Sequence, residues 1–181
     1  MHIQLDQWVD KLSEKTKTLQ DMLPCANDEE NLFLFELEIA SLAYISRKIM
    51  ENSNVFTCGS NIEATEIAKE QIISLHCAPR KTDTGIWQNV SVYDAYDLSK
   101  ARDSAFDKDL RFICDQIIHA VRFDTGTVPK IGMSILFSSD REWKKRIFIV
   151  NAEKFLEEFQ KFQGRRLSIQ EFHNIGYGAQ S

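Results

Sequence analysis

The chain has 181 residues, with 43% hydrophobic and 27% charged residues, 7 Gly, 3 Pro and a formal net charge of −5. This composition excludes collagen, a membrane bundle, a disulfide scaffold and a disordered chain. At this length a single domain over 1–181 is expected, with a core that needs neither metal nor disulfides.

Residues 3–23 repeat apolar groups at helical spacing (Leu5, Trp8, Val9, Leu12, Leu19, Met22, Leu23), and Pro24 ends that helix. Asn27 is the expected cap of a second helix, 27–50, with Asp28, Glu29 and Glu30 at its positive end. That helix is apolar almost all round, from Leu32 to Ile49, which suits the centre of a bundle. A turn at Cys58-Gly59, with Ser60 or Asn61 as cap, leads into a shorter helix over 61–76. The pattern is lost over 79–96, a long connection with an extended piece at 87–93. A long helix is expected over 98–123, capped by Asp97 and broken by Thr125 to Pro129.

The period then changes from 3.6 to 2. Ile131, Met133, Ile135 and Phe137 alternate along one strand, and Arg146 to Val150 forms another, giving an antiparallel hairpin over 131–150. Asn151 caps a last helix over 152–163, with Phe155, Leu156, Phe159 and Phe162 as its apolar stripe and Gly164 as its stop. The expected fold class is mostly α: a helical bundle of four to five helices with one antiparallel β-hairpin near the C-terminus.

Met1 leads into no apolar leader, and the longest apolar stretch is interrupted by Glu36 and Glu38, so a cytoplasmic protein without a membrane segment is expected. Cys25, Cys58, Cys77 and Cys114 are scattered and form no C-x-x-C pair, so they read as reduced thiols. His76-Cys77 is an adjacent pair, and adjacent helical residues diverge by about 100°, which argues against a nucleophile and its base. His2 and His173 fall in terminal segments. No paired-His spacing and no glycine-rich phosphate loop is present, so neither metal nor cofactor is expected.

On the expected long helix, Arg111, Asp115, His119 and Arg122 share a sector of about 80°. An imidazole can pass protons, a carboxylate one turn away can orient it, and Arg can clamp a phosphate. Those groups suit metal-free phosphodiester cleavage; they also suit an ordinary ion-pair stripe on an amphipathic helix. On the second helix, Glu36, Ala40, Ala43 and Arg47 share a face, and Glu36 and Arg47 are either further members of the His119 site or a structural interhelical bridge.

Charge is uneven. Residues 141–166 hold eight basic and four acidic residues. Within them Arg141, Lys144, Lys145 and Arg146, interleaved with Trp143, form either a nucleic-acid contact with a stacking ring or a solvated hairpin tip.

Arg111 followed by His119 on a late bundle helix resembles the motif of the HEPN superfamily, an Arg and a His separated by a short helical stretch. The resemblance implies an all-helical, usually dimeric protein directed at RNA, either a metal-independent endoribonuclease or an inactive RNA-binding relative. It implies His119 acting at the ribose 2′-hydroxyl or scissile phosphate and an Arg holding that phosphate. The other expectation, from the residues alone, is a non-catalytic homodimeric interaction module associating through the His119 stripe or the hairpin.

Overall fold

The computed structural model describes residues 3–26, 29–52, 64–81, 90–103 and 107–177. The expected first helix is present as α1 (Ile3–Met22), followed by a short 3-10 turn over Leu23–Cys25 with Pro24 inside it. The second is α2 (Glu29–Asn52). Asn27 and the Cys58 to Asn61 turn lie outside the described residues. The expected helix over 61–76 is shorter. It is α3 (Ala64–Glu70), and the chain then extends as β1 (Ile72–Ile73) and β2 (His76–Pro79).

The largest correction concerns 98–123. A 3-10 turn at Leu98–Lys100 leads to β3 (Arg102–Asp103) and β4 (Lys108–Asp109). Only Leu110–Ile118 is helical, after a one-turn α4 at Val92–Ala95, and this segment is α5. Asp109, not Asp97, caps it: its Oδ1 accepts the Phe112 N–H at 2.7 Å. At His119 the chain leaves the helix and enters β5 (Ala120–Val128).

The expected hairpin is formed by β6 (Gly132–Ser139) and β7 (Arg146–Asn151). It is the middle of a five-stranded antiparallel sheet of order β3-β2-β7-β6-β5, and β1 and β4 make a separate pair. The molecule is therefore not a helical bundle with one hairpin. The sequence of β7 already carries the reason. Ile147 to Val150 is a continuous apolar run, which a strand needs when both its faces are covered. Phe148 and Val150, with Ile135 and Phe137, join the core under the helices. Ile147 and Ile149, with Leu136, join a second core beneath Val92, Ala95 and Tyr96. A hairpin alone has no second layer to cover that face.

Asn151 caps the last helix as expected, with Oδ1 accepting the Lys154 N–H at 2.9 Å. This helix, α6, runs from Ala152 to Tyr177 and passes through Gly164 rather than ending there. A glycine inside a helix costs about 1 kcal/mol relative to alanine and does not by itself stop one. Phe155, Phe159 and Phe162 are fully buried, as their spacing predicts. Among the described residues no helix is long and apolar enough to cross a membrane.

Candidate functional site

His119 is the hinge between α5 and β5. Its backbone N–H still bonds the Asp115 carbonyl at 3.1 Å, while Ala120 already pairs with Ser139 of β6. The exposed imidazole meets α2 from the side: Arg47 Nη1 lies 3.0 Å from His119 Nε2. The same Nη1 is 3.4 Å from Asp115 Oδ1, and Arg47 Nε donates to Glu51 Oε1 at 2.7 Å. Glu51 and Asp115 hold Arg47 firmly in its charged form. A guanidinium only donates, so Nε2 accepts and the ring proton sits on Nδ1 when His119 is neutral.

Asp115, His119 and Arg47 are thus brought together as the sequence suggests, but the other expected members are not. Arg111 is two turns earlier on α5, about 12 Å along the axis. Arg122 is on a strand, because the helix ends before it, and an irregularity in the ladder between Ala120 and Arg122 shifts the register. Its Nη1 donates to the Val90 carbonyl at 3.2 Å. Glu36 also lies elsewhere. Its Oε1 accepts the Thr125 backbone N–H at 2.9 Å and the Thr125 hydroxyl at 3.3 Å. Tyr93 Oη donates to the carbonyl of the same Thr125 at 3.3 Å. β5 is a sheet edge, and these two side chains occupy its outward-facing backbone groups, a common need of edge strands.

The place of the missing arginines is partly taken by Arg141. A cleft of about 490 Å³ is lined by Gln116 and His119 on one side and by Ser139, Asp140 and Arg141 on the other. Gln116 Oε1 itself is buried and has no donor among the described residues.

Arg141 starts the β6–β7 turn, and this turn is a built structure rather than a loose tip. Trp143 and Glu142 N–H groups bond the Ser139 carbonyl, and those of Lys145 and Arg146 bond the Glu142 carbonyl. The Tyr96 hydroxyl donates to the Trp143 carbonyl at 2.7 Å from below. Trp143 itself is only 9% exposed, with the Arg80 guanidinium 4.8 Å from its ring centre and Lys144 at 5.4 Å. It is therefore not available to stack on a base; it fixes the turn, and cations cover it.

The far side of this turn borders a second cleft of about 510 Å³. Lys145, Arg146 and Glu142 form one wall, Lys100 and Arg102 the other, and Cys77 and Pro79 contribute the floor. Four cations face one carboxylate. Glu142 is engaged by Arg146 at 2.8 Å and Lys100 by Asp97 at 2.8 Å. Lys145 and Arg146 were visible in the sequence. Lys100 and Arg102 were not, since they reach the groove only through the pairing of β3 with β2 and of β2 with β7.

His76 and Cys77 are on β2, so successive side chains point to opposite faces of a sheet. Cys114 is fully buried, and burial pushes its thiol strongly upward. Among the described residues no three of His, Cys, Asp and Glu gather as a metal set. No family model matches the chain, and no curated protein or solved structure matches it. The all-helical fold implied by the HEPN resemblance is not the fold observed.

Proposed function

We propose that this protein binds single-stranded RNA through its phosphate backbone, without cleaving it. The observation that carries this reading is the groove in which Lys100, Arg102, Lys145 and Arg146 converge on a chain whose overall charge is −5. Cations concentrated in a concave strip of an acidic protein attract a polyanion locally while the rest repels it. A groove of this size admits one strand. With Trp143 buried, binding is driven by phosphate contacts rather than by stacking on a ring.

The turn carries the strand from the groove toward Arg141 and the His119 cleft. There Gln116, His119, Ser139 and Arg141 line the cleft with polar groups. Such groups can engage a ribose 2′-hydroxyl, which DNA lacks. Cleavage is disfavoured by the imidazole's own bonding, since the Nε2 lone pair that would accept a proton is engaged by Arg47.

The test is binding of a labelled mixed-sequence RNA at several salt concentrations, with EDTA present. Wild type should bind with a steep salt dependence and leave the RNA intact. Arg102→Glu and Lys145→Glu should weaken binding and each lower the salt slope by about 1. Gln116→Leu should narrow the preference for RNA over DNA. No binding at low salt, or binding indifferent to both charge reversals, overturns the reading; RNA cleavage lost in His119→Ala overturns its non-catalytic part.

A further inference from the structure

α2 is not sealed in the centre of a bundle. Phe35, Ile39, Leu42, Ser46 and Ile49 face the core, yet Phe33 is 68% exposed, Leu37 52%, Tyr44 47% and Leu34 48%. Ala40 is exposed between them. Positions 33, 37, 40 and 44 are spaced four, three and four apart, which is the seam spacing of two helices packed side by side. Clustered apolar exposure of this kind marks an interaction surface rather than scattered surface residues. Tyr44 is already held in place, edge-on to Trp8 of α1 with ring centres 6.1 Å apart, so ordering it on contact costs little.

We propose that a second copy of this chain covers this face, with the two α2 helices antiparallel about a two-fold axis between positions 38 and 39. The seam is self-complementary in that register. Phe33 faces Tyr44 of the second copy, and Leu37 faces the small Ala40, so large residues meet small ones at the middle and rings meet at the flanks. The two helix dipoles also oppose each other only in the antiparallel arrangement. An interface built on one helix pair is at the small end of stable interfaces, so the equilibrium is expected at micromolar rather than nanomolar concentration.

Sedimentation equilibrium of the full chain over a concentration series tests this. Wild type should show a reversible monomer–dimer equilibrium. Leu37→Glu should raise the dimer dissociation constant by about a hundredfold or more, because it places two carboxylates in the seam. Position 37 is exposed, so circular dichroism and melting should not change; Phe33→Ser is a second variant of the same kind. A monomer at every concentration, or a dimer indifferent to both Leu37→Glu and Phe33→Ser, overturns the proposal. Capture of an unrelated protein on the same face by a monomeric chain overturns it as well.

Discussion

Arg47 and His119 are 72 positions apart in the chain, and the guanidinium Nη1 lies 3.0 Å from the imidazole Nε2. Because only the ring nitrogen can accept, this contact selects the Nδ1–H tautomer of neutral His119. Nitrogen chemical shifts of a histidine-labelled sample at a pH where the ring is neutral should show that tautomer for His119. In Arg47→Gln the signal should move toward the mixture usual for exposed imidazoles. An unchanged tautomer in the variant would mean that the contact does not orient the ring. Arg47→Gln also removes one of the two cations on Glu51, at 2.7 Å, leaving Lys48 at 2.9 Å, and the Asp115 contact at 3.4 Å. Both pairs are part-exposed, so the loss of stability should stay within about 1 kcal/mol.

Gly126 is where β5 and Tyr93 come closest. A Cβ at that position would stand 1.9 Å from the Tyr93 Oη and 3.2 Å from its Cζ. Gly126→Ala must therefore displace the phenol from the Thr125 carbonyl, at a cost of about 1–3 kcal/mol. Removing the hydroxyl removes the shorter of the two contacts. Tyr93→Phe combined with Gly126→Ala should be more stable than Gly126→Ala alone, a coupling that denaturant unfolding of the four proteins in the cycle reads directly. Strict additivity would show that Tyr93 has room to move away.

Both features show where sequence patterns stop being informative. The helix ends at Pro24, the Asn151 cap and the β6–β7 hairpin follow from local chemistry, and all three were legible. The segment from Leu98 to Phe123 was not. Leu110, Ile113, Cys114 and Ile117 do have helical spacing and are buried. Beyond them, Val121, Phe123, Thr125 and Thr127 alternate with period 2, but a short apolar stretch fits either pattern. What decides is the ladder with β6, from Ala120 to Val128, and no local signal reports a partner strand. The unbroken run Ile147 to Val150 was the available hint, since a strand with two apolar faces requires a second layer. The site suffered accordingly. Asp115, His119 and Arg47 come from helices or their ends, and their meeting was legible, whereas Arg122 and Arg102 are placed by strand pairing and Lys100 by the turn before β3, which no local pattern reports.

Tyr96 ties the groove to the second core. Its ring is 1% exposed and its hydroxyl donates to the Trp143 carbonyl at 2.7 Å. Tyr96→Phe keeps the ring's volume but removes the hydrogen bond to that carbonyl, which costs about 0.5–1.5 kcal/mol. The same loss frees the turn that presents Lys145 and Arg146. RNA affinity should therefore fall in Tyr96→Phe although no charge has changed, and the salt slope should stay as in wild type. A reduced slope would instead mean that phosphate contacts themselves had been lost.

Glu36 and Asp124 make the fold sensitive to pH in an unusual direction. Burial, and then repulsion from the Asp124 carboxylate, raises Glu36 above the ordinary carboxylate range. Burial likewise raises Asp124. A carboxyl whose folded value exceeds its unfolded one binds protons more tightly when folded. Its ionisation penalty is fully present above the folded value and is relieved as pH falls toward the unfolded value. Salt-bridged carboxylates such as Glu51 and Asp97 are lowered and act the opposite way. Glu36→Gln separates the two effects. The amide oxygen can still accept the Thr125 N–H, and the amide nitrogen can donate to Asp124 where the carboxylate repelled it. The variant should melt above wild type at neutral pH, by an amount equivalent to about 1 kcal/mol at most. That gain should shrink as pH falls through the raised Glu36 value toward the ordinary glutamate range, where wild type takes up its proton. A variant equally destabilised at neutral and at lower pH would show that Glu36 works as a charged cap on β5, and that its proton plays no part in stability.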